Sequence, residues 1–126
     1  MELTVDQRTA AGRPDVTIVA PSGEIDLATA PLLREGLERA EAHAPSGLVI
    51  DLRGVSFIDS TGIGELVGCH RRCRDRERAL AFVVPEGTIR KILGVTGMDA
   101  VFDLHQDEES AVKSLSTSSA AATSDD

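Results

Sequence analysis

The residues that could do chemistry converge on one short stretch, FIDSTGIGELVG, Phe57 to Gly68. An apolar run ends in the acid Asp59, two hydroxyls follow at Ser60 and Thr61, and Gly62 and Gly64 open a segment with helical period. A serine before a glycine-rich turn invites three enzymatic readings, and the spacing fails each. Nucleophilic catalysis needs a base, but His43, His70 and His105 fall in a helix end, a helix and a terminal strand, and the G-x-S-x-G elbow is missing. An aspartic-protease loop needs the aspartate one residue from the glycine, and here Ser60 and Thr61 both intervene. A nucleotide loop needs G-x-G-x-x-G or a glycine-rich run closed by a Lys-Ser/Thr pair; Val67 stands where the last glycine should be, and no such pair follows these glycines.

What remains is binding or modification. Ser60 or Thr61 is the natural N-cap of the helix that follows, and Gly62 and Gly64 leave backbone with little cover, which lets another molecule approach. A helix N-terminus stabilises an anion, so a nucleotide or another anionic small molecule is one candidate ligand. The other reading makes Ser60 a substrate: a phosphoryl group there adds roughly −1.5 to −2 charge at one spot and converts a binding surface into a repelling one.

The elements that position this stretch alternate. LTV at 3–5 and VTIVA at 16–20 read as strands joined by a loop over 6–15, punctuated by Gly12 and Pro14. A helix runs from a Thr29 cap, with Pro31 in its first turn and Leu33, Leu37 and Ala40 at helical spacing, and stops at Pro45 and Gly47. LVIDL at 48–52 is the third strand. Beyond Asp59, Ile63, Leu66, Val67, His70 and Cys73 form an apolar stripe, and arginines between 71 and 78 compensate the helix dipole. ALAFVV at 79–84 is a strand, GTIRKILGVTG a helix ended by Gly94 or Gly97, AVFDLH at 100–105 a strand, and Asp107 caps a last helix carrying Ala111, Val112 and Leu115.

This order predicts an α/β fold with about five mostly parallel strands, an antiparallel pair at one edge and about four helices gathered on one face. One domain over 1–115 and a disordered tail over 116–126, STSSAAATSDD, account for the chain. A net charge of −8 argues against nucleic acid as a partner. No run approaches the roughly 20 apolar residues of a membrane span, so the expectation is a soluble, cytoplasmic protein. No heptad or large apolar patch demands a dimer, so the free protein is expected to be a monomer. Cys69 and Cys73, four apart on a helix, are read as packed thiols: a strain-free disulfide does not suit that spacing, and His70 alone does not complete a metal site.

Two motifs in combination carry a family resemblance. GEIDLATAPLLREGL, Gly23 to Leu37, followed by LVIDLRGVSFIDSTGIGELVG, Leu48 to Gly68, resembles the STAS domains of bacterial anti-sigma factor antagonists, and the likeness runs on through ALAFVVPEGTIRKILGVTGMDAVFDLHQDEESAV. The resemblance implies a STAS fold and a binding protein, not an enzyme, with neither cofactor nor metal of its own. It implies Ser60 as the phosphorylation site, Thr61 as a secondary acceptor or a capping hydroxyl, and a partner surface formed by Asp26, Asp59, Ser60, Thr61, Gly62 and Gly64. The implied partners are an anti-sigma factor serine kinase, bound when Ser60 is unmodified so that the sigma factor is released, and a serine/threonine phosphatase that restores that form. The loop over 6–15 is longer than in short family members, and the tail offers further hydroxyls at Ser116, Ser118 and Ser119.

Overall fold

The computed structural model describes residues 2–43 and 46–115, so the tail expected over 116–126 lies outside the described residues. Strand β1 (Leu3–Ala10) and strand β2 (Arg13–Ile25) form an antiparallel hairpin at one edge. The predicted loop over 6–15 is therefore mostly strand. Its polar residues alternate with no apolar partner, which hides their extended conformation, and only Ala11 and Gly12 turn, with Gly12 at φ +75°.

The long β2 strand is the organiser. Its first half, from Val16 to Val19, pairs in parallel with β3 (Gly47–Asp51), and its second half, from Ser22 to Ile25, pairs in parallel with β4 (Gly54–Ile58). Beyond β3 the sheet continues in parallel through β5 (Ala79–Val83) and β6 (Leu104–His105), giving six strands in the order β1-β2-β3-β5-β6 with β4 beside β2. β4 is the strand the sequence reading lacks. Its five residues include Gly54, Ser56 and an exposed Phe57, so neither alternation nor a continuous apolar run marks it. The predicted strand over 100–105 shrinks to β6, because residues 98–100 wind into a 3-10 turn.

Helices α1 (Ala30–Ala42), α2 (Ser60–Asp75) and α3 (Thr88–Val95) cover one face, where Leu33, Leu37, Leu66, Cys69 and Leu93 pack on Val19, Ile50 and Phe82. The last helix, α4 (108–115), lies on the other face, where Ala111 and Leu115 meet Val16, Ile18, Val49 and Val83. The expectation that all helices share a face is corrected by that second core: β3 is buried on both sides, which is why LVID reads as an unbroken apolar run. Asp107 caps α4 as predicted, its carboxylate accepting from the Ser110 N–H at 2.8 Å.

Candidate functional site

Parallel pairing builds the site. Ile25 of β2 stands in register with Ile58 of β4, and the Asp59 N–H donates to the Ile25 carbonyl at 3.1 Å. The residues that follow, Asp26 and Asp59, therefore leave the sheet side by side at the carboxyl ends of two strands about 4.8 Å apart. Neither motif alone places them together; β4 does.

Each aspartate then organises its own turn. Asp26 Oδ1 accepts from the N–H groups of Ala28 and Thr29, both at 3.0 Å, and its own N–H donates to Thr29 Oγ1 at 2.9 Å. Thr29 Oγ1 also lies 2.8 Å from the Glu24 carbonyl, so this hydroxyl fastens the β2–α1 turn and, although Thr29 is the N-cap residue, does not cap α1 through its side chain. Asp59 is the N-cap of α2: its Oδ1 accepts from the Gly62 N–H at 3.1 Å. The prediction that Ser60 or Thr61 caps this helix is thus corrected. An extended Asp59 backbone, ψ −174°, aims the carboxylate at the first turn and moves Ser60 into the helix's first position.

That shift releases the two hydroxyls. Ser60 is exposed, and among the described residues its Oγ has no hydrogen-bond partner. Thr61, half-buried, lines a groove of about 410 Å³ between α1 and α2. The two glycines also separate. A Cβ on Gly64 would meet nothing within 4 Å, so the helix surface one turn below Ser60 is open. A Cβ on Gly62 would sit 2.4 Å from Ile25 and 2.8 Å from Ile58. Gly62 is buried, and its role is to let α2 close onto the β2–β4 pair; the expectation that it offers backbone to a partner is corrected.

The charges around Ser60 are one-sided. Among the described residues neither Asp26 nor Asp59 has an ion-pair partner. Arg34 of α1 is held by Glu65 of α2 through two bonds of 3.0 and 2.8 Å. The His105 imidazole lies elsewhere, 2.7 Å from Ser110 Oγ and 2.9 Å from Asp103. No group of three or more His, Cys, Asp or Glu among the described residues could hold a metal ion, and no helix there is long and apolar enough to cross a membrane. Cys69 and Cys73 are free and buried; the neighbouring Cys73 sulfur, then burial, push the Cys69 thiol far up, so it stays protonated.

Sequence reasoning missed Leu27, which is 75% exposed on the turn that Asp26 and Thr29 fasten, and Phe57, 43% exposed on β4. Leu27 was findable: it is an apolar residue outside both the strand and the helix patterns that flank it.

The comparisons with known proteins agree with this geometry. The model of the STAS domain matches residues 7–111. The anti-sigma-B factor antagonist of Bacillus subtilis is 30% identical over 113 residues, covering 90% of this chain and all of that protein. That of Listeria monocytogenes is 34% identical over 83 residues, 66% of this chain and 73% of its own length. The crystal structure of an anti-sigma factor antagonist from Mycobacterium paratuberculosis superposes with a TM-score of 0.81 at 30% identity, covering 90% of this chain and 94% of that one.

Proposed function

This chain belongs to the STAS-domain family of anti-sigma factor antagonists, and we propose that it works there as a binding module switched by phosphorylation of Ser60. In its unmodified form it engages an anti-sigma factor that is a serine kinase, and the sigma factor is released. The kinase transfers the γ-phosphoryl group of ATP to Ser60 Oγ, and the modified protein lets go. A serine/threonine phosphatase reverses the step. The protein supplies no catalytic group and no cofactor, acts in the cytoplasm as a monomer when free, and carries these functions within residues 1–115.

The observation that carries the reading is the state of the Ser60 hydroxyl: exposed, free of hydrogen bonds among the described residues, and flanked by carboxylates without a cation. A kinase can reach it without dismantling a cap, since Asp59 does the capping. Once attached, a phosphoryl dianion meets Asp59 and Asp26. Like charges brought this close repel even in water, and more strongly at the lower dielectric of a protein surface. ATP hydrolysis-level chemistry can impose that charge; free binding has to overcome it. This difference favours modification over the rival reading, a nucleotide or anion bound reversibly at the α2 N-terminus.

The test compares affinities of the purified kinase for three proteins. Ser60→Ala should bind like the unmodified original, and Ser60→Asp, carrying one of the charges of a phosphate, should bind at least about tenfold more weakly, or roughly 1.4 kcal/mol. Equal affinity for Ser60→Asp and the original contradicts the switch. Saturable binding of ATP or GTP to the isolated protein in calorimetry supports the rival.

A further inference from the structure

The groove between α1 and α2 is lined beside Thr61, on the flank of α2 that faces α1, and the switch does not use it. Its apolar lining comes from Leu27, Ala30 and Pro31, of which only Ala30 is buried. Its rim carries three carboxylates, Glu35, Glu38 and Glu65, against the single guanidinium of Arg34. That guanidinium is already spent on Glu65, and Glu35 has only a long contact of 3.8 Å to the exposed Arg39. Among the described residues Glu38 has no ion-pair partner. The groove lining therefore keeps an excess of negative charge beside its apolar residues.

Leu27 gives the groove its anchor. It is 75% exposed, yet the turn bearing it is locked on both sides, by Asp26 Oδ1 accepting from Ala28 and Thr29 and by the Thr29 hydroxyl against Glu24. A large apolar side chain held out to solvent on a rigid turn loses little conformational freedom when covered, which is the economy of a binding anchor. We propose that this groove is a second docking surface, taking a segment of the protein partner in which an apolar side chain covers Leu27 and Pro31 and flanking lysines or arginines meet Glu35 and Glu38. The inference rests on the reading above, that the partner is the kinase acting on Ser60. An anionic ligand is refused by the rim. A second copy of this chain is disfavoured by its net charge of −8.

The two surfaces divide the work. Thr61 lines the groove and Ser60 does not, so a partner seated there keeps one contact when the serine is modified. Phosphorylation then weakens the complex by the Ser60 contacts alone, and the groove sets the affinity from which the switch starts.

The experiment measures binding of the purified kinase to Leu27→Asp, Leu27→Ala, Glu38→Lys and Ser60→Asp, with Gln7→Asp on the exposed β1 edge as a charge-matched control. Thermal melting is recorded for each variant. The proposal predicts losses of about tenfold for Leu27→Asp and about threefold for Leu27→Ala and Glu38→Lys, with Gln7→Asp unchanged. The Glu38→Lys loss should fade in high salt, as an exposed charge contact does. If Leu27→Ala and Leu27→Asp bind like the original while Ser60→Asp does not, the groove proposal is overturned and the switch stands. If Leu27→Asp weakens binding and Ser60→Asp does not, the groove contact stands and the reading of Ser60 falls. A Leu27-dependent dimer in sedimentation would assign the groove to a second copy and overturn the proposal.

Discussion

The two ends of α2 handle charge in opposite ways. At the C-terminal end, Glu41 of α1 is 3% exposed and meets Arg72 through two bonds of 2.8 Å, while Arg78 donates to the Glu41 carbonyl at 2.8 Å. Cys69 and Cys73 close the space beneath. At the N-terminal end, Asp59 and Asp26 satisfy backbone N–H groups and leave their charge uncompensated, with the Ser60 hydroxyl unused beside them. One end spends its charges on holding the helices together; the other leaves its charges unpaired, where the proposed partner would meet them. The contrast separates stability from function along a single helix, and substitutions at the two ends should show it.

The largest effect is expected at the paired end. Glu41→Ala removes the carboxylate and strands Arg72, and because Arg72 keeps partial access to water the loss should be about 2–3 kcal/mol, below the roughly 3–5 kcal/mol of a fully buried pair. Chemical denaturation measures it, and kinase binding of the remaining folded protein should be unchanged. A loss under about 0.5 kcal/mol would erase the contrast.

The glycines sharpen it next. Gly62→Ala forces Cβ into Ile25 and Ile58 and should cost about 1–3 kcal/mol, as overpacking does. Gly64→Ala meets open space inside a helix and should stabilise by roughly 0.5–1 kcal/mol. If Gly64 lies in the interface, that same substitution weakens kinase binding while raising the melting temperature, a split that a purely structural glycine does not produce.

Asp59→Ala should cost about 1 kcal/mol through the lost cap, whereas Ser60→Ala should stay within about 0.5 kcal/mol of the original. A Ser60→Ala cost larger than that of Asp59→Ala would mean that the serine, not the aspartate, secures the turn.

The smallest effect is a pH dependence from carboxylates outside the site. The Arg13 guanidinium holds the Asp15 carboxyl down at about 2. Burial works to raise Asp51, and Arg53 overrides it, leaving that carboxyl below its usual value. Both groups bind protons more tightly in the unfolded chain, so their stabilisation is present above the unfolded value of about 3.9 and is lost as the pH falls toward 2. Melting curves should decline over that window. Exposure of Asp15 keeps its share small, and Asp51→Asn should flatten the slope more than Asp15→Asn.

The legibility of the two ends differed as well. The stripe of Ile63, Leu66, Val67, His70 and Cys73 announces a packed helix because burial leaves a 3.6-residue period, although the structure buries Cys69 more fully than His70, and the hydroxyl-glycine joint announces its own start. The Glu41–Arg72 pair was invisible, because an ion pair between two helices leaves no local pattern, and the arginines there read as solvated dipole partners. β4 escaped for a different reason: it borrows its strand character from β2, and five residues that include a serine and a glycine carry too little signal alone. The capping role moved from Ser60 to Asp59 by a single residue, which is the usual uncertainty of a helix boundary, yet that residue decides whether the hydroxyl is free.

The central claim is that Ser60, and not its neighbour, is the modified hydroxyl. Intact-mass analysis with site mapping, on the protein from its native cells and on Ser60→Ala and Thr61→Ala made in the same background, tests it directly. The account predicts one phosphate that vanishes with Ser60→Ala and persists with Thr61→Ala. A phosphate that survives Ser60→Ala, or none in any growth state of the folded original, would contradict it.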